Sequence, residues 1–155
     1  PFQLEDIEKE FRAQIELALK KIPRISHVSG HMGCTHINES VSQIVEKLAK
    51  EYKIHIDLKQ HQVNGLRFNG PHKTFAEKKK SFLAMLQTLE AGNNYLFVEH
   101  PGYDDPELRA IHHIGYEDVA EDRQGVTDLL LDADIKTAIQ KRNISLISYK
   151  DLLKP

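Results

Sequence analysis

The run Tyr95-Leu96-Phe97-Val98 carries no polar residue, and it lies between Asn93-Asn94 and a Pro-Gly turn. A short unbroken apolar run is the pattern of a strand covered on both faces, and such strands belong to parallel sheets whose crossovers are helices. The rest of the chain supplies those helices. Leu4, Ile7, Phe11, Ile15, Ala18 and Ile22 recur at three- and four-residue steps, which predicts an amphipathic helix stopping at Pro23. Asn38 is placed to cap a second helix with Val41, Ile44, Val45, Leu48 and Tyr52 inward. Thr74 and Glu77 make a capping box for a helix that turns Phe75, Phe82, Leu86 and Leu89 inward and ends near Gly92. Asp105-Pro106 starts another helix, and residues 117–143 read as helical with an interruption around Gly125.

Further short strands are expected at RISHVS (24–29), KIHID (53–57) and ISLIS (144–148), with YKDLL as a closing helical turn. The polar stretch from Leu58 to His72, with Gly65 and Gly70-Pro71, reads as a long loop. Strands and helices therefore alternate, which predicts an α/β fold of parallel βαβ units in a single domain over residues 1–155. Four parallel strands form either a small open sheet or half of an eight-stranded barrel, and a half-barrel leaves edges that another surface must cover. Self-association is the expected consequence.

Composition excludes several classes. A formal net charge of −2 gives no basic field for nucleic acid and no polybasic arm for a membrane surface. The basic stretch EKKKS (77–81) reads as a solvated helix face without aromatics on which bases would stack. No apolar run is long enough to span a bilayer. The single cysteine forms no internal disulfide, in keeping with a cytoplasmic location. The chain opens PFQLEDIEKE, without Met or a signal-peptide pattern, which reads as a start inside a longer product. Pro1 as an N-terminal catalytic base is an alternative that no other residue supports.

Chemistry concentrates in two places. HVSGHMGCTH, His27 to His36, holds three of the nine histidines and the only cysteine. With extended backbone, His27 and His31 share a parity near the carboxyl end of a strand, where α/β folds place their sites. Imidazole is a common ligand of divalent metals, and a hydrolytic site needs only two or three protein ligands beside open positions for water. A closed zinc site from His27, His31, Cys34 and His36 is a second possibility, and satisfied packing histidines a third. Cys34 reads as a small buried residue rather than a nucleophile.

The second place is VEHPGYDDPEL after the apolar run. His100 there is either a general acid for a leaving group or a histidine that bonds a turn. Asp104 and Asp105 read as turn and cap residues. His112-His113 ends a short helix as surface or packing residues. Glu121, Asp122 and Arg123 read as a solvated helix face, with Arg123 also able to clamp a polar or anionic substrate group.

Together these segments make the chain similar to the YdjC-like carbohydrate deacetylases, the family that includes chitooligosaccharide deacetylases. Ser26-His27-Val28-Ser29-Gly30-His31 stands where the family commonly has Thr-His-x-Asp-Ser-His. His100-Pro101-Gly102-Tyr103 matches its His-Pro-Gly-Tyr turn, and Leu146 to Leu152, LISYKDL, its closing Leu-x-Ser-Tyr-x-Asp-Leu. The order and spacing of the three blocks agree over nearly the whole chain. The resemblance implies the C-terminal part of a (β/α) TIM-like barrel, in an enzyme that removes N-acetyl groups from amino sugars or oligosaccharides. It implies a divalent metal, magnesium or zinc, held by one Asp and two His. His31 transfers as one metal ligand and His100 as an active-site residue with the role of general acid. The remaining ligands and the carboxylate base belong to an N-terminal half that this chain lacks, so the chain alone is expected to be inactive. Ser29 departs from the family's Asp. The alternative is a non-catalytic α/β module that binds carbohydrate or protein.

Overall fold

The computed structural model of the chain describes residues 2–22, 24–112 and 114–153. Three expectations, Pro1 as a base, Pro23 as a helix stop and His113 as a surface or packing residue, lie outside the described residues. The chain divides into two units, Pro1–Leu58 with Ile147–Pro155 and Lys59–Leu146.

In the first unit, α1 (Leu4–Lys21) packs on α2 (Glu39–Glu51). Asn38 caps α2 as its sequence predicts: the side-chain oxygen accepts from the Val41 amide at 3.0 Å. Val41 and Leu48 have no exposed surface, Ala49 and Ile54 are buried, and α2 carries most of the buried side chains of this unit. Of the predicted stripe, Ile7, Phe11, Ile15 and Ala18 are half-buried and Leu4 and Ile22 are exposed, and no residue of α1 is buried outright. Polar bonds join the two helices instead. The Arg12 guanidinium donates to Glu51 at 2.9 Å, to the Tyr52 hydroxyl at 3.1 Å and to Glu8 at 3.2 Å, and Lys47 reaches Glu8 at 2.8 Å.

The second unit holds the sheet. β1 (Val63–Leu66) and β2 (Asn94–Phe97) are parallel, with Val63 opposite Asn94 and Leu66 opposite Phe97. α3 (Phe75–Gln87) connects them, making one βαβ unit, and begins at the predicted Thr74–Glu77 capping box. Then come α4 (Pro106–Arg109), capped by Asp105 as expected, α5 (Val119–Leu131) and α6 (Ala133–Lys141). Phe82, Met85 and Leu86 of α3 meet Leu129 of α5 and Ile135 of α6, and Phe68, Phe97 and Ile144 close the core around them. Burying Leu129 completely contributes about 1.5–3 kcal/mol.

Several expectations are corrected. β1 lies inside the stretch read as a long loop. Its sequence, Val-Asn-Gly-Leu, has no strand signal of its own, and the ladder to β2 makes it a strand. Residues 24–29, 53–57 and 144–148 have no ladder partner among the described residues, so a β-prone composition there does not become a sheet. The helical segment does not break at Gly125, which is buried mid-helix in α5. It breaks at Asp132, whose carboxylate caps α6 by accepting from the Asp134 amide at 2.9 Å and the Ile135 amide at 3.1 Å. The molecule is mixed α and β with a small parallel sheet. No helix among the described residues is long and apolar enough to cross a membrane.

Candidate functional site

The histidine-rich motif lies in the first unit. Backbone is extended through Gly30 and then turns into a 3-10 segment, His31–His36, bent by left-handed residues at Met32 (φ 49°) and Gly33 (φ 71°). Extension therefore stops one residue before His31, and the parity argument that paired it with His27 fails. His27 is half-buried, accepts or donates at Nδ1 with Ser26 Oγ at 3.1 Å, and stacks on Tyr149 with ring centroids 4.0 Å apart. Burial pushes its imidazole pKa down. His31 is exposed and makes no hydrogen bond or ion pair among the described residues. His36 meets Ser42 Oγ at 3.3 Å, and Cys34 is a half-buried free thiol. His27, His31, Cys34 and His36 do not gather into a group of three that would hold an ion, nor does any other such group form among the described residues.

Gly30 is constrained by its neighbour. A Cβ there would sit 2.2 Å from Thr35 Oγ1, and Thr35 is buried. The turn is closed by threonine filling the space that a side chain at residue 30 would need. The stack of His27 on Tyr149 brings the first motif block against the closing LISYKDL block within this unit.

The second cluster surrounds the His-Pro-Gly-Tyr turn. His100 follows β2 by three residues, is exposed, and makes no hydrogen bond among the described residues. Gly102 behind it is held against α5: its amide donates to the Arg123 carbonyl at 3.2 Å, and its own carbonyl accepts from Thr127 Oγ1 at 2.9 Å. A Cβ at Gly102 would lie 2.9 Å from Leu108 Cδ2 and 3.3 Å from Arg123 Cβ, so the turn and the arginine stem occupy adjoining space that only glycine permits. The Asp104 amide donates to Gln124 Oε1 at 2.9 Å, and the Asp104 carboxylate pairs with Arg109 at 2.8 Å. That bond from Arg109 holds the Asp104 carboxyl below its usual range. Asp104 and Asp105 are thus turn and cap residues, as their sequence suggests. Beyond Asp104 a shallow cavity of about 240 Å³ opens between Arg109, Ile111, Glu117 and Glu121.

Two helix faces read as solvated are not. Lys78, in the middle of EKKKS, is 1 % exposed, and Ser81 beside it is buried. Lys78 Nζ donates to Asp122 Oδ1 and to the His72 carbonyl, both at 2.5 Å, and lies 5.6 Å from the centroid of the Phe68 ring. Asp122 accepts a second bond from the Tyr116 hydroxyl at 2.6 Å. Burial pushes the Asp122 carboxyl up, but the bonds from Lys78 and Tyr116 outweigh it and hold the pKa below the ordinary value. Tyr116 is raised by burial and by Asp122, with Arg123 pulling the other way. Arg123 is half-buried, and its Nε is buried without a hydrogen-bond partner. The correction has a simple cause. Gly125, one turn after Asp122, has no side chain, and Lys78 fills that space: a Cβ at Gly125 would meet Lys78 Cε at 3.0 Å. A periodicity argument counts lysine as polar and so turns it outward, whereas a glycine notch on the facing helix lets its stem in and supplies a carboxylate at the end.

These features define a mixed α/β protein in which His100 stands on the loop after a parallel strand, a usual position for sites in such folds. The chain belongs to the YdjC-like family: the family model described as YdjC-like protein matches residues 1–141. That family is related to carbohydrate deacetylases. The match takes in the first two motif blocks, and the closing block, Leu146 to Leu152, lies beyond it. No curated protein matches the chain at a significant level.

Proposed function

We propose that the chain contributes to a metal-dependent carbohydrate deacetylase that removes N-acetyl groups from amino sugars or oligosaccharides. The observation that carries this reading is family membership over residues 1–141 together with the fixed His-Pro-Gly-Tyr turn. Amide hydrolysis requires a proton for the departing amine, and His100 is proposed to give it. Its imidazole is exposed and uncommitted, on a turn tied to α5 through both Gly102 backbone groups. Arg123 is proposed to bind a polar or anionic group of the sugar, its guanidinium stem braced on Gly102. A divalent ion, magnesium or zinc, would supply Lewis acidity and an activated water. The described residues do not by themselves fit such a centre, because no three ligating groups converge. His31, exposed and unpaired, is the one ligand proposed from this chain, the others and the base coming from a segment outside it. The β1–α3–β2 unit is proposed to be part of a (β/α) TIM-like barrel completed by that segment or by self-association.

The test fuses to the N-terminus of the chain a family segment carrying the proposed remaining ligands and carboxylate base, and assays release of acetate from acetylated chito-oligosaccharides. Activity is expected, with loss of about 10²-fold or more in His100→Ala and in His31→Ala. An active His31→Ala enzyme would remove that residue from its role. A second reading, a carbohydrate- or protein-binding module without catalysis, draws support from Ser29 in place of the family's Asp and from the lack of a converging ligand group. It predicts sugar or protein binding with no acetate release in the restored enzyme.

A further inference from the structure

We propose that Lys78 is a positioning residue for the substrate-facing side of the second unit, holding the His72 loop and Arg123 in place beside the turn that bears His100. The inference rests on the reading of that turn and of Arg123 as substrate-facing. Burying an ammonium group is strongly unfavourable unless it is fully paired. A methionine would fill the same tube along Gly125 without that cost. What the charge adds is a tie of α3 both to the loop just before it and to α5, 44 residues further along the chain. Lys78 belongs to α3, its Nζ donates to the His72 carbonyl in the loop after β1, and it donates also to Asp122 on α5.

The same face of α3 binds the loop a second time. Ser81, one turn further on, donates through Oγ to the Pro71 carbonyl, and the Asn69 amide donates to the Ser81 carbonyl at 3.4 Å. Phe68 stacks on the His72 ring with centroids 5.0 Å apart and an interplanar angle of 14°, beneath the Lys78 ammonium. The imidazole of His72 is thereby fixed at an exposed position. On the other side, Asp122 is followed directly by Arg123, whose Cβ and Cδ would lie 3.3 and 3.6 Å from a Cβ at Gly102. Fixing Asp122 fixes the rotation of α5 under the His-Pro-Gly-Tyr turn. One buried cation thus sets the exposed His72 ring, the half-buried Arg123 and the turn between them and His100.

The paired replacement Lys78→Met with Asp122→Leu tests this. Apolar exchange of a buried ion pair commonly leaves a protein folded with little change in stability. The measurements are the melting transition, amide exchange at Asn69, whose N–H is bonded to Ser81, and calorimetric binding of di-N-acetylchitobiose. The expected result is a folded variant in which the Asn69 amide exchanges tenfold faster or more and the Phe68–His72 ring contact is lost. Exchange in the α3–α5–α6 core stays native, and sugar affinity falls tenfold or more. A folded variant with native exchange in the loop overturns the proposal, as does faster loop exchange with undiminished sugar affinity. If the unaltered protein does not bind the sugar, the substrate reading fails, while loop exchange still decides whether Lys78 holds the loop. If the double variant does not fold, Asp122→Asn is measured in the same way: threefold faster exchange at Asn69 supports the proposal and native exchange overturns it.

Discussion

Gly125 and Lys78 show how much one missing side chain decides. Placing alanine in a helix interior normally stabilises it relative to glycine by about 0.5–1 kcal/mol. Here the new Cβ would stand 3.0 Å from Lys78 Cε and 3.4 Å from Cδ, and Lys78 is pinned at its far end by Asp122 and the His72 carbonyl. The lysine has no room to give way. Gly125→Ala is therefore expected to destabilise the second unit by about 1–3 kcal/mol, the usual cost of overpacking, read as a lower midpoint in urea. An unchanged or higher midpoint would mean that Lys78 is not held as described. The same pair gives a pH dependence. The folded pKa of Asp122 lies below the ordinary 3.8, so its contribution is complete above that value and is lost as pH falls through the lowered folded pKa. The second unit should lose stability on acidification below about pH 4, and Asp122→Asn should flatten that part of the profile.

His27 behaves in the opposite pH range. Its pKa is lowered from 6.5 by burial, so the folded state prefers the neutral ring. Above pH 6.5 the stack on Tyr149 is undisturbed; below it the unfolded state takes up protons first and stability falls. The Tyr149 ring resonances should therefore shift towards exposed values as pH drops from 7 to 5, whereas His27→Phe should hold them constant.

At the scale of elements, local rules worked wherever a cap or a stripe decided the outcome. Asn38, Thr74, Asp105 and Asp132 each start a helix through a side-chain oxygen. The first three of those starts were legible from residue type and spacing, and the fourth was obscured because Gly125 drew the expected break to itself. Asn38→Ala is expected to cost about 0.5–2 kcal/mol, visible as reduced melting temperature of the first unit and fraying of the first turn of α2 in amide exchange. Strands were read less well. YLFV was legible from its unbroken apolar run, but the strand shifts by one residue and is half-buried, not covered on both faces: Asn94 is paired, and Val98 lies outside the ladder and is exposed. Val63–Leu66 contains Asn64 and Gly65 and becomes a strand only through β2.

For the whole molecule, the proposed metal reading makes a direct demand. This chain gives one proposed ligand, His31, so calorimetric titration with zinc or magnesium should show weak binding without a defined stoichiometry. Tight one-to-one binding would contradict the assignment of the other ligands to a segment outside the chain. The proposed self-association is checked by sedimentation across concentration, where a mass that stays at the monomer value would remove it.

Sequence alone determined the helices, their caps, the apolar strand and the family motifs, because each depends on residues within a few positions of one another. Tertiary structure alone decided that Lys78 turns inward, that Val63–Leu66 becomes a strand, and that Arg123 lies against Gly102. These outcomes depend on what stands opposite: a missing Cβ on one helix, an unpaired row of amides on one strand, and a turn close enough to share space with an arginine stem. Partners 21 or more residues away do not leave a periodic trace in the segment they select, so their effect appears only when the chain is packed.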